Sequence, residues 1–306
     1  MTAAFCYKRE WNKREFHMLE KMILILTEGY KKKLETSDGY PAFIEQMQIH
    51  GTIVQSWECK QWKNEVVSND SIWEKKETPF TLYLSDNGEV LGYLQDKGRY
   101  TIAVYHSEVK GILPGTQYAI EGIEDVEWDF YDKVYQRFAG EPWKITETAR
   151  CIIREMGIDD VDDLYELYRS PLVTRYTETL FSKKDQERQY IQDYVKNIYK
   201  YYGFGIWLIH GKEDGKLIGR AGFNYRPGFE EVELGFVIGE AYWHKGYAYE
   251  VCCHLLELGK SVYEFEKVQA LVRKENEASI RLLKKLGFAY VEDVMLDGQE
   301  YARYLS

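Results

Sequence analysis

The segment Trp243-His244-Lys245-Gly246-Tyr247-Ala248 has the residue types needed to hold an anion. The first N–H groups of a helix have no acceptor inside it, and with the helix dipole they attract negative charge. Gly246 and Ala248 lack bulk, so a pyrophosphate could approach the main chain, and His244 and Lys245 add positive potential. Taken alone, such a turn is equally an ordinary tight helix start. Upstream, Val232, Leu234, Phe236 and Ile238 alternate with Glu233, Gly235 and Val237, so Glu233 lies on the strand face opposite the apolar set. A partly buried carboxylate there could take a proton directly or through water, whereas at the surface it would be a solvated acid. Downstream, Asn276 opens a further helix whose first turn it can cap, and the Ser279 hydroxyl can stabilise a developing negative charge.

The elements that must position these residues follow from periodicity. A strand is expected around Thr148 to Arg154, and Asp159-Asp160-Val161-Asp162-Asp163-Leu164 opens a helix with acids in its first turn, where the dipole favours them. Tyr190, Ile191, Tyr194, Val195, Ile198, Tyr199 and Tyr202 share one face of a longer helix that Gly203 ends. Phe204 to His210 and Leu217 to Tyr225 read as a hairpin, with the strand Glu231 to Ile238 after it. A helix from about Gly246 to Leu258, a strand Val268 to Arg273, a helix Asn276 to Leu286 and closing strands from Phe288 complete an α/β arrangement. Tyr176, Tyr225 and Trp207 belong either to the lining of a cleft or to the core. His210 and His254 read as packed or half-exposed side chains, and Cys252 and Cys253 as core.

In the first half, Phe16, Leu19, Ile23, Leu26, Tyr30 and Leu34 recur at spacings of three and four, which predicts one helix ending near Lys31-Lys32-Lys33. Gly39 to Thr78, with Trp57, Trp62 and Trp73, reads as mostly helical or irregular. A strand at Thr81 to Ser85, a helix through Val90, Leu91, Tyr93 and Leu94, and a strand from Tyr100 to Tyr105 form a βαβ unit. A short strand near Tyr118 to Ile120 and a helix through Phe130, Val134, Tyr135 and Phe138 complete a small Rossmann-like α/β layer. The segment Leu84-Ser85-Asp86-Asn87-Gly88 resembles the strand end of a Rossmann-like or haloacid-dehalogenase-like domain, but the Asp-x-Asp pair of the latter is absent and Asp86 reads as a helix cap. Gly140-Glu141-Pro142-Trp143 marks a boundary. The expected organisation is an N-terminal α/β domain of unassigned role over residues 1–143 and a second domain over 147–306.

Bulk properties narrow the function classes. Fifty acidic against forty basic residues give a formal charge of -10, so a nucleic acid would be repelled and any anion needs a local site. The five cysteines, Cys6, Cys59, Cys151, Cys252 and Cys253, form no Cys-x-x-Cys pair and have no histidine at ligand spacing, so the expectation is free thiols and no metal. Lys8, Arg9, Lys13 and Arg14 precede an apolar run, Met22 to Leu26, too short for a signal segment or a membrane span. A cytoplasmic protein with no membrane partner is expected.

Three pieces in this order resemble the GNAT acetyltransferases, and among them the RimJ/RimL type that acetylates ribosomal-protein N-termini: Glu233-Leu234-Gly235-Phe236-Val237-Ile238, then Trp243 to Ala248, then Asn276-Glu277-Ala278-Ser279 with Leu282 and Leu286-Gly287-Phe288. The resemblance covers residues 147–306 and implies a mixed sheet flanked by helices that binds acetyl-CoA as co-substrate. It implies that the first strand parts from its neighbour at a bulge, leaving main-chain groups of Phe236, Val237 and Ile238 for the pantetheine amides. His244, Lys245, Gly246, Tyr247 and Ala248 would hold the pyrophosphate and Asn276 the pantetheine arm, although capping explains Asn276 equally well. Glu233 would be the general base. The slot that carries tyrosine in many members is Leu283, so Ser279 is the expected donor to the leaving sulfur. The acceptor is an amine, either a small molecule or a peptide N-terminus. The alternative is a non-catalytic acyl-CoA-binding sensor or recognition module.

Overall fold

The computed structural model of the chain describes residues 18–68 and 80–306, with the backbone of two short paired strands, β1 (Arg9–Trp11) and β2 (Arg14–Phe16). Cys6, Lys8, Lys13 and Trp73 lie outside the described residues. The chain divides into two compact units, the first ending at Glu141 and the second beginning at Pro142.

Met22 to Leu26 is apolar at every position, and each of these side chains is fully buried. Such a run suits a strand covered on both faces, as in parallel sheets. The segment is accordingly β3 (Lys21–Leu26), and only Glu28–Glu35 is helical. This corrects the single helix expected from Phe16 to Leu34, because a strand buried on both faces can supply apolar residues at helical spacing by accident. β3 sits between β4 (Ile53–Glu58) and β5 (Thr81–Ser85), followed by β6 (Thr101–Tyr105) and β7 (Ala119–Glu121), all parallel. Met22, Leu24 and Leu26 pack with side chains of the helices Glu28–Glu35, Tyr40–Ile49 and Trp128–Ala139, whereas Ile23 and Ile25 pack with Cys59, Trp62, Val90 and Leu94. Helices thus cover both faces, a doubly wound arrangement.

Asp86 is not the cap of the helix Gly88–Asp96; Asn87 is, its Oδ1 accepting from the N–H groups of Glu89 at 3.1 Å and Val90 at 3.2 Å. Asp86 instead accepts from Thr27 N–H at 2.9 Å and Thr27 Oγ1 at 2.5 Å and lies 3.0 Å from His106 Nε2, tying together the residues that follow β3, β5 and β6. Asn87→Ala is expected to cost about 1 kcal/mol of stability, read as a lower urea midpoint; an unchanged midpoint would remove the cap from the account.

The second unit carries an eight-stranded sheet in the order β14-β15-β13-β12-β11-β10-β9-β8. Its strands are β8 (Lys144–Glu147), β9 (Cys151–Arg154), β10 (Ile206–Gly211), β11 (Leu217–Asn224), β12 (Val232–Ile238), β13 (Val268–Val272), β14 (Ala289–Leu296) and β15 (Gln299–Leu305). Only β12 and β13 run parallel, so the sheet is mixed. The core gathers Trp207, Phe223, Leu234, Val251, Leu255 and Leu283. The expected acid-opened helix begins with Ile158–Asp160 and continues as Val161–Leu167, and Asp160 is held by the buried Arg154 guanidinium at 2.7 and 2.8 Å. The long tyrosine-bearing helix runs Lys184–Tyr194, loosens into a π turn at Val195–Tyr199, and ends at Gly203 in left-handed conformation. Ile191, Tyr194 and Tyr199 are buried, whereas Tyr190 before the π turn and Tyr202 after it are exposed. The hydroxyls of Tyr194 and Tyr199 bond the main chain of Ile206, at 2.9 and 2.5 Å, where β10 begins. A Cβ at Gly222 would stand 1.9 Å from Gly205 O, so β10 and β11 approach here only through glycine.

Candidate active site

β12 meets two different neighbours. With β11 it is paired from Asn224↔Glu233 to Gly219↔Ile238 in unbroken register. With β13 its pairing stops after Val232↔Val268 and Glu233↔Gln269, so from Leu234 onwards this edge is open. The strands therefore part without the expected bulge in the β12 register. Gly239 N–H donates to Ile218 O at 2.8 Å, which fixes the alternation. Gly235 and Val237 direct their main-chain groups to β11, whereas Leu234, Phe236 and Ile238 direct theirs to the open edge. Of the three residues expected to offer main-chain groups, Phe236 and Ile238 face the opening and Val237 does not. The Ile238 carbonyl already accepts from Trp243 Nε1 at 2.7 Å, which fastens the following turn to the end of the edge.

In that turn His244 and Gly246 both adopt positive φ, 59° and 83°. Gly246 starts the helix Tyr247–Ser261, and no side chain caps it. The first helical bond runs from Glu250 N–H to Gly246 O at 3.1 Å, so the N–H groups of Tyr247, Ala248 and Tyr249 precede it and meet no acceptor among the described residues. Uncapped N–H groups beside a residue without a side chain fit a phosphate. Lys245 directs its ammonium over the Tyr242 ring, 5.8 Å from the centroid.

The turn also holds a cation that sequence reasoning missed. Arg150 donates from Nη1 to Lys245 O at 3.0 Å, and its guanidinium lies over the Tyr247 ring at 4.2 Å. Its Nη2 stands 3.6 Å from where a Cβ on Gly246 would be. The Glu250 carboxylate clamps it, accepting from Arg150 Nε at 2.6 Å, Arg150 N–H at 2.9 Å and Thr148 Oγ1 at 2.6 Å. Burial works to raise the Glu250 pKa, but these bonds together hold it below the usual carboxylate range. The available signal was an acid in a helix's first turn; the arginine sits in a loop without periodicity.

Glu233 is 9% exposed, on the face shared with its register partner Asn224, whose Oδ1 accepts from Tyr194 OH at 3.2 Å. Burial pushes its carboxyl above the ordinary value, and Arg226, whose Nε donates to Glu233 Oε2 at 2.5 Å, opposes that rise. Arg226 is the second residue that the sequence did not reveal.

The helix Glu277–Lys285 is capped by Asn276, whose Oδ1 accepts from Ser279 N–H at 3.2 Å. Ser279 is half-buried, Leu283 is buried in the core, and Lys285 reaches over the Tyr249 ring at 4.0 Å. Tyr176 OH donates to Glu275 O at 3.2 Å, next to the cap. Glu233 and Ser279 share no hydrogen bond. Trp207 is fully buried and lines no cleft, and the Tyr225 ring lies tilted against the rings of Tyr202 and Phe204. His210 bonds Gly215 O and His254 bonds Thr146 Oγ1. The described cysteines are free thiols, and among the described residues no cluster of His, Cys, Asp or Glu could hold a metal ion. No described helix is long and apolar enough to cross a membrane.

The second unit thus has an open strand edge with an uncapped helix start past one end and a buried carboxylate at the other. Residues 150–289 match the Acetyltransferase (GNAT) domain. The chain is 32% identical over 143 residues to the uncharacterised N-acetyltransferase p20 of Bacillus licheniformis, covering 46% of this chain and 80% of that protein. It is 31% identical over 147 residues to the uncharacterised N-acetyltransferase YoaA of Bacillus subtilis, covering 47% and 82%. Among solved structures, an acetyltransferase from Agrobacterium tumefaciens is 22% identical with a TM-score of 0.45, covering 53% of this chain and 92% of that one. The chain belongs to the GNAT acetyltransferases. The matched residues lie within its second unit.

Proposed function

We propose that the second unit transfers acetyl from acetyl-CoA to a primary amine, a peptide N-terminus or a small molecule, by direct attack in a ternary complex. The observation that carries this reading is the opening of β12 from Leu234 onwards, between the uncapped turn at Gly246 and the buried Glu233. The turn's N–H groups and Arg150 suit the pyrophosphate, and Phe236 offers main-chain groups to the amides of an extended arm, as an added strand would use them. Ile238 contributes its N–H, since Trp243 engages its carbonyl. Bound there, acetyl-CoA supplies the activated acyl group. Glu233 takes one proton from the ammonium form of the acceptor, the freed amine nitrogen bonds the acetyl carbon, and the second proton that this nitrogen sheds passes to the departing thiolate. As the carbon–sulfur bond breaks, the Ser279 hydroxyl stabilises the sulfur.

The test is thiol release from acetyl-CoA with a panel of amines and N-terminal peptides, with acetylated products identified by mass spectrometry. Binding of acetyl-CoA with no product from any acceptor class would favour a non-catalytic acyl-CoA-binding module. Ser279→Ala keeps the main-chain N–H that Asn276 caps, so it is expected to fold normally and lower turnover by roughly ten- to a hundred-fold. Unchanged turnover would take the hydroxyl out of the mechanism.

A further inference from the structure

Glu233 is held by a residue of another element. Arg226 follows β11 in the loop leading to β12, and its Nε meets Glu233 Oε2 at 2.5 Å while its side chain remains about a third exposed. The other charged group acting on both is Glu178, from the segment after the helix Pro171–Thr174. Among the remaining described neighbours the carboxyl meets no counter-charge. The helix Lys184–Tyr194 brings Tyr194, bonded to Asn224, and β13 brings Gln269, whose amide is engaged by Glu231 O at 3.0 Å and Arg303 Nε at 2.9 Å. Arg226 is thus the cation in contact with the buried carboxylate, at the point on β12 where pairing with β13 stops.

We propose that Arg226 is a positioning residue for the acetyl transfer, holding the Glu233 carboxylate ionised and aimed at the opening between β12 and β13 so that it can accept the amine's proton. This rests on the proposed role of Glu233. A charge-assisted bond favours the ionised form, and burial disfavours it. Removing Arg226 leaves burial and the repulsion of Glu178 unopposed, so Glu233 stays protonated to higher pH.

The test is a 13C-detected titration of glutamate side chains in the full chain, with the Glu233 signal assigned from its loss in Glu233→Gln. In Arg226→Gln the Glu233 midpoint is expected to move to higher pH, and in Arg226→Lys to stay close to wild type. With an acceptor identified by the amine screen, Arg226→Gln should lose roughly ten-fold in kcat/KM at about pH 6 and little at about pH 9. A Glu233 midpoint unmoved in Arg226→Gln, or an activity loss equal at every pH, would overturn the proposal. A moved midpoint with a Glu233→Gln enzyme as active as wild type would instead overturn the role of Glu233 as base and leave the hold by Arg226 standing.

Discussion

Acetyl-CoA is expected to raise the melting temperature of the wild-type chain, and Gly246→Glu is expected to abolish that rise. At a ligand concentration a hundred times its dissociation constant that stabilisation is about 2.7 kcal/mol, and with about 2–4 °C per kcal/mol for a domain of this size it amounts to roughly 5–10 °C. Two causes act together. The glutamate carboxylate would sit among the unpaired N–H groups of Tyr247, Ala248 and Tyr249, and it could neutralise Arg150, whose Nη2 is 3.6 Å from the new Cβ position. The Cβ itself meets nothing closer, so loss of binding would not stem from a packing clash. Positive φ at this position costs any L residue about 1 kcal/mol or more, which lowers the unliganded midpoint, so Gly246→Ala serves as the control. It carries the same backbone strain without the charge and should still respond to acetyl-CoA. A Gly246→Glu chain that binds acetyl-CoA as tightly as wild type would show that the phosphate lies elsewhere.

Glu233→Gln is expected to lower turnover by roughly 100- to 10,000-fold, the range for loss of a general base, with the affinity for acetyl-CoA nearly unchanged. The separation follows from the proposed arrangement, in which the turn and the main chain of β12 would hold the coenzyme while the Glu233 side chain lies on the other face of the sheet from Leu234 and Phe236. The pH dependence has a definite sign. Burial raises the Glu233 carboxyl above the usual carboxylate range even with Arg226 in contact. The wild-type rate should therefore fall as pH drops through that raised value, and the glutamine enzyme should lack this acidic limb. Matching rates across the pH range would remove Glu233 from the mechanism.

Local geometry was legible in the sequence where it is encoded by neighbouring residues. Alternation placed the strand at Glu231 to Ile238, and Val232–Ile238 is a strand. The helix expected from about Gly246 and the helix expected from Asn276 begin at Tyr247 and Glu277, each next to the glycine or asparagine that opens it. What was not legible depends on partners distant in sequence. β3 has no alternation because helices cover both of its faces, and its apolar run was read as part of a helix. β4 was missed within Gly39 to Thr78 because it pairs with a neighbour on one side only and carries Gln55 and Ser56 among its apolar residues. Arg150 and Arg226 carry no periodic signal, since each lies in a loop and is defined by a carboxylate on another element.

The parting of β12 and β13 also sets a length. From Glu233 to Ile238 the strand takes five steps of roughly 3.3 Å, about 17 Å in all. Trp243 bolts the far end of that span to the turn, and pairing with β11 runs along the whole of it. The sheet thus supplies a rigid ruler between the place that fits a phosphate and the carboxylate that takes a proton. In the proposed reading, a thioester on a shorter arm could reach one end of the ruler but not both, so selection among thioesters would be made by measurement as much as by contact.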